Sequence, residues 1–165
     1  MASGSSVIGF DGTAAAERAV REAGGLLAPR RALVVVAIEE GATFGAVLAP
    51  VLVAGLPATE LEIRNAVRAE EAVIEQATNL AQKGAALAQE VGLEAESLVV
   101  SDDVSVASTL LRVADEQDAS VVVVGAHRRG GLSRLLMGST AKDVLERARR
   151  PVLVVRDTDT GMARE

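Results

Sequence analysis

Two apolar rhythms alternate along this chain of 165 residues: short runs of mostly β-branched residues, and longer stretches whose apolar positions recur three or four apart. The runs are residues 6–10 (SVIGF), 32–38 (ALVVVAI), 120–124 (SVVVV) and 151–156 (PVLVVR). Residues 94–101 (EAESLVVS) alternate first and then turn apolar. Such runs suit strands buried on both faces, as parallel sheets require. Between the first two, Ala16, Ala19, Val20 and Ala23 predict a helix opened by Thr13 as N-cap and closed by Gly24, Gly25 and Pro29. Val67, Ile74, Ala77, Ala81, Gly84, Ala88 and Val91 form a small, apolar stripe that predicts a long helix over 59–91, ended by Gly92. Val106, Leu110, Leu111 and Ala114 mark another helix, begun at Asp102, Asp103 or Ser105, and a last helix is expected over 139–149.

The order β-α-β-α-β-α-β-α-β predicts an α/β fold: an open, mostly parallel five-stranded sheet with helices on both faces. It reads as one domain over 7–156, between polar tails at 1–6 and 157–165. Ligands of such sheets bind at the carboxyl ends of the strands, where strand order reverses, so Asp11 and the loop at Gly125 are expected to meet there. Residues 41–59 (GATFGAVLAPVLVAGLPAT) carry no charge. Their glycines and prolines, and the lack of basic flanks, argue against a membrane span. They predict a long loop over the carboxyl edge of the sheet, with a lid or a subunit contact as the sharper reading.

Composition narrows the classes of partner. With 1% aromatic residues, the chain lacks the stacking faces that single-stranded nucleic acid uses, and a net charge of −6 gives no general attraction to nucleic acid or anionic membrane. The absence of cysteine rules out thiolate chemistry and suits a reducing cytoplasm, and the opening MASGSS lacks the pattern of a signal peptide. His127 is the only histidine, with no second ligand at metal spacing. Asp102 and Asp103 read as the acidic start of a helix rather than as a metal pair.

Residues 121–140 (VVVVGAHRRGGLSRLLMGST) concentrate the candidate chemistry. Glycines at the end of a buried strand permit close backbone approach to a ligand. A helix opening at Gly138, Ser139 and Thr140 aims unpaired N–H groups, hydroxyls and the positive end of its dipole at one place, an arrangement that favours phosphate. Ser139 and Thr140 read equally as helix caps. Arg128, Arg129 and Arg134 offer a clamp for the same anion, with a solvated basic face as the alternative, and Gly130 and Gly131 shape the loop.

These residues carry a resemblance to the universal stress proteins, whose nucleotide-binding members have Gly-x-x-Gly, nine residues, then Gly-Ser/Thr between the fourth strand and fourth helix. Gly125, Ala126 and His127, then Gly138, Ser139 and Thr140, fall on that spacing, and the opening VIGFDGT and the ending RRPVLVVR are similar to the family as well. The second motif glycine is Arg128 here, which either crowds the loop or pairs with phosphate oxygens. The resemblance implies a Rossmann-like, adenine nucleotide alpha hydrolase-like three-layer sandwich that binds ATP. Asp11 would lie near the ribose or adenine, the backbone of Ala37 and Ile38 beside the adenine, and Gly125, His127, Arg128 and Gly130 along the ribose and triphosphate. Gly138, Ser139 and Thr140 would hold phosphates, and Mg²⁺ would ride on the nucleotide. It also implies a homodimer paired through the last strand, from Pro151 to Arg156.

The expected function is that of a cytoplasmic stress-response protein with ATP or a related adenine nucleotide as regulatory ligand. The alternative is a module that binds a protein partner and no nucleotide, suggested by Arg128 and the apolar 41–59 segment. Neither a Walker sequence nor a Ser-His-Asp arrangement is present, so at most slow hydrolysis or autophosphorylation is expected.

Overall fold

The computed structural model describes residues 4–27, 31–39, 41–102, 104–126 and 138–156. Five parallel strands form one sheet: β1 (Ser6–Gly9), β2 (Arg31–Ile38), β3 (Glu94–Ser101), β4 (Val121–Ala126) and β5 (Val152–Arg156), in the order β3-β2-β1-β4-β5. From β1 the chain first builds outward through β2 to β3, then returns to place β4 on the other side of β1. The reversal therefore falls between β1 and β4, with Ile8 level with Val34 on one side and Val123 on the other.

Side-chain alternation along the strands divides the core into two layers. Ile8, Val34, Val36 and Val123 pack with Ala16, Ala19 and Ala23 of helix α1 (Ala14–Leu26) and with Ala77, Ala81 and Ala88 of helix α3 (Glu60–Glu90). Val7, Val35, Val122 and Val124 pack instead with Leu110 and Val113 of α4 (Val106–Glu116) and Ala141 and Val144 of α5 (Ser139–Arg147). In the first layer the buried helical residues are mostly alanines, which lets α1 and α3 lie close to a sheet of valines.

Thr13 caps α1 as expected, its hydroxyl accepting the Ala16 N–H. The helix does not close at Gly24 and Gly25 but runs through both to Leu26. The reason is packing: a Cβ on Gly24 would stand 2.5 Å from Cγ2 of Val91, so the glycine admits the end of α3 rather than breaking α1. Pro29 lies outside the described residues.

The expected loop over 41–59 is largely a helix, α2 (Ala42–Val53). It packs mainly on α3 and does not cover the sheet edge. Apolar residues on every side leave no periodic face to read, and Pro50 falls near the end, where only three helical residues follow it. Its N-terminus is capped from elsewhere in the sequence: Gly41 and Phe44 donate their N–H groups to the two carboxylate oxygens of Glu70 at 2.6 and 3.0 Å.

α3 follows expectation in extent, opened by a Thr59–Glu62 capping box and followed by Gly92 at φ +86°. Its stripe is corrected at the N-terminal half: Val67 and Ile74 are exposed, because this part of the helix lies beside α2 rather than on the sheet. Ser105 is the N-cap of α4, accepting from Ser108 N–H, while Asp102 accepts the N–H of Val104. Asp103 lies outside the described residues. α5 stops at Arg147, two residues short of the expected end. Among the described residues no helix is long and apolar enough to cross a membrane.

Candidate functional site

The carboxyl ends of β1, β2 and β4 surround a cavity of about 720 Å³, lined among others by Phe10, Asp11, Ala37, Ile38, Gly125, Gly138, Ser139 and Thr140. This volume suits a small-molecule ligand. Seven of the ten residues expected at the site thus line one concavity. His127, Arg128 and Gly130, with Arg129, Gly131 and Arg134, lie outside the described residues.

At the β2 wall, hydrogen bonding fixes which way the backbone faces. Val35 accepts the Phe10 N–H at 2.9 Å on the β1 side, and Ile38 accepts the Asp102 N–H at 2.6 Å on the β3 side. Successive residues of a parallel strand turn their peptide groups to opposite neighbours. Ala37 therefore turns its N–H and C=O toward the β1 side, beyond the last β1 residue, Gly9, and no described residue takes up either group. A donor and an acceptor side by side on a peptide edge thus open on the cavity.

Phe10, Val36, Ala77, Leu80 and Leu110 add an apolar lining. Asp11 stands at the mouth, exposed, where its Oδ1 accepts both the N–H and the hydroxyl of Thr13. It is a turn residue that organises the start of α1 and, at the same time, part of the cavity wall.

The opposite wall is the start of α5. Gly138 is its N-cap, with no side-chain hydrogen bond to the helix, and Ser139 and Thr140 are its first helical residues rather than its caps. Thr13, Thr59 and Ser105 cap α1, α3 and α4, and Glu70 serves α2. Among the described helices α5 alone begins without a side-chain acceptor, and it begins at the cavity. No described side chain takes up its first N–H groups, and these and the helix dipole face the cavity.

Gly125 has a packing role besides lining the cavity. A Cβ there would stand 2.6 Å from the backbone carbon of Ala15 and 2.7 Å from the nitrogen of Ala16. The missing side chain lets β4 pass against the first turn of α1, and β4 continues through Gly125 to Ala126 instead of breaking at the glycine. Sequence reasoning missed Gln76, Leu80 and Leu110 as cavity residues. Leu110 was legible as a core position but not as one shared with the cavity, and Gln76 and Leu80 required the course of α3 across the sheet.

Comparison with known proteins agrees with this architecture. The model of the universal stress protein family matches residues 6–156. A universal stress protein of Mycobacterium tuberculosis is 52% identical over 40 residues, covering 24% of this chain and 14% of that protein. One from Methanocaldococcus jannaschii is 25% identical over 104 residues, covering 63% of this chain and 62% of its own length. The match thus spans less than two thirds of either relative. The solved structure of the universal stress protein from Archaeoglobus fulgidus in complex with dAMP shares the fold, with a TM-score of 0.62 at 21% identity over 94% of this chain and 99% of that one.

Proposed function

The chain belongs to the universal stress protein family, and we propose that it binds ATP or a related adenine nucleotide as a regulatory ligand, with little or no turnover. The observation that carries this reading is the pairing of two walls in one cavity, the peptide edge of Ala37 and the start of α5 at Gly138, neither taken up by a described side chain or backbone group outside its own element.

An adenine ring presents a donor and an acceptor side by side, which complements the C=O and N–H of Ala37. Phe10, Leu80 and Leu110 would cover its faces. Phosphates would lie at Gly138, Ser139 and Thr140, where backbone N–H groups, hydroxyls and the helix dipole favour anions. Asp11 would accept a sugar hydroxyl. By family resemblance His127, Arg128 and Gly130 would complete the phosphate side, and Mg²⁺ would arrive on the nucleotide. The dAMP complex of the Archaeoglobus protein supports the ligand class.

The described lining supports the low-turnover part of this reading. Among the described cavity residues Asp11 is the only ionisable side chain, and its Oδ1 is engaged by Thr13. No residue pair there provides a base and a partner to position water. Calorimetric titration with ATP, ADP and AMP tests the proposal: saturable binding with ATP recovered intact is expected, and no saturable heat at millimolar nucleotide overturns it.

The exposed apolar side chains of α2, with Leu52 61% and Val53 88% exposed, favour a second reading, a family member that binds a protein partner instead. It predicts the opposite result in the same titration. For β5, at the edge of the sheet, we propose pairing with a second copy, since an apolar edge strand is normally covered. A dimer mass in light scattering is expected, and a monomer at micromolar concentration rules it out. The cysteine-free chain suits a reducing cytoplasm.

A further inference from the structure

A second cavity, of about 460 Å³, lies between α4 and the end of α5, where Arg112, Arg147, Arg149 and Arg150 line it with the carboxylates of Asp115 and Glu116. It is remote from the uncapped start of α5. Arg150 is held by the chain itself, donating to Asp115 and Asp118 at 3.2 Å each and to the carbonyl of Ala119. Arg112 is answered by Glu116 at 2.8 Å. Arg147 donates to the neutral hydroxyl of Ser108 at 2.9 Å and to no carboxylate, and Arg149 has no carboxylate partner among the described residues.

Two guanidinium groups with no carboxylate partner among the described residues therefore line one concavity, in which four arginines outnumber two carboxylates already paired with Arg112 and Arg150. Like charges brought together at a partly enclosed surface repel, and an oxyanion between them reverses the sign of that interaction. Guanidinium forks match the oxygens of such an anion in pairs. Leu111 and Ala114 line the same cavity and provide an apolar contact beside the charges. The Arg150 cluster ties the end of α4 to the start of β5, which fixes the frame on which Arg147 and Arg149 stand.

We propose that this groove binds a small phosphomonoester, with Arg147 and Arg149 gripping the dianionic phosphoryl group and Leu111 and Ala114 receiving an apolar body. The site is independent of the nucleotide cavity, and its ligand needs no purine.

Amide NMR titration with phenyl phosphate tests it on the full chain. Saturable shifts are expected at residues 108–116 and 147–150, with phenol giving none. The Arg147→Gln, Arg149→Gln double variant changes two exposed side chains, and its unchanged circular dichroism would confirm folding. Its affinity should fall by about tenfold or more, the scale of a lost charge-assisted hydrogen bond. Succinate in place of phenyl phosphate separates a phosphoryl site from a general dianion site, and equal affinity for succinate overturns the phosphomonoester assignment. Absence of saturation at millimolar phenyl phosphate, shifts confined to 138–141, or undiminished binding by the double variant overturns the site itself.

Discussion

Gly125 and Ala15 are pressed together so closely that a Cβ on the glycine would stand 2.6 Å from the alanine carbonyl carbon. This contact joins β4 to the first turn of α1 at the point where strand order reverses. Gly125→Ala should therefore act first on stability. Overpacking of this kind costs about 1–3 kcal/mol, because Ala15 and Ala16 meet the added carbon with backbone atoms, which cannot swing aside. Urea denaturation should show a lower midpoint with an unchanged slope; an unchanged midpoint would mean the two elements part freely.

Gly138 predicts the reverse pattern. A Cβ there meets nothing within 4 Å, and the residue has φ −55°, which any L-amino acid tolerates. Gly138→Asp supplies α5 with the cap it lacks, worth a few tenths of a kcal/mol. It also puts a carboxylate where phosphate would bind. Thermal stability should hold or rise while nucleotide affinity falls about tenfold or more, as like charge replaces the dipole's attraction. Thermal melts and calorimetry on the same preparation check both halves.

Glu70 fastens α2 by accepting from Gly41 and Phe44. Glu70→Ala should cost about 1 kcal/mol, the usual scale of a lost helix cap. The loss should be local. Hydrogen exchange at Phe44 and the following amides should quicken while the amides of β1 and β4 stay protected. Equal acceleration throughout would show that α2 is coupled to the global core.

Acid sensitivity has identifiable contributors. The Lys83 ammonium, hydrogen-bonded to Glu17 at 2.8 Å, holds that carboxyl below its ordinary value of 4.5, and the Thr59 N–H followed by its hydroxyl does the same for Glu62. A folded-state pKa below the unfolded one gives stability that is present above the unfolded value and lost as pH falls through the folded value. Both contributions should fade below about pH 4.5, the unfolded reference. In Lys83→Met the Glu17 titration, followed by carboxyl NMR, should move up toward its ordinary midpoint. The shift should shrink with salt, because the pair is exposed.

The valine runs, the Thr13 cap and the alternation of strands with helices were legible in the sequence, because burial on both faces and local capping are written in neighbouring residues. They determined a parallel α/β sheet and placed Asp11, Gly125 and Gly138 at its carboxyl end. Local pattern failed where the deciding contact comes from a distance. α2 read as a loop because its apolar residues have no polar face to contrast with and its cap, Glu70, lies 29 residues from Gly41 in the chain. Gly24 read as a helix stop because Val91, which excludes a side chain there, belongs to the other end of α3. The same holds at the site. The loop pattern named Gly125 and the family resemblance named Ala37, but only tertiary structure made Gly125 a packing contact against α1 and turned the peptide edge of Ala37 toward an open side of the sheet. Those assignments depend on which strand ends first and which helix crosses it, and no residue encodes that without its partners.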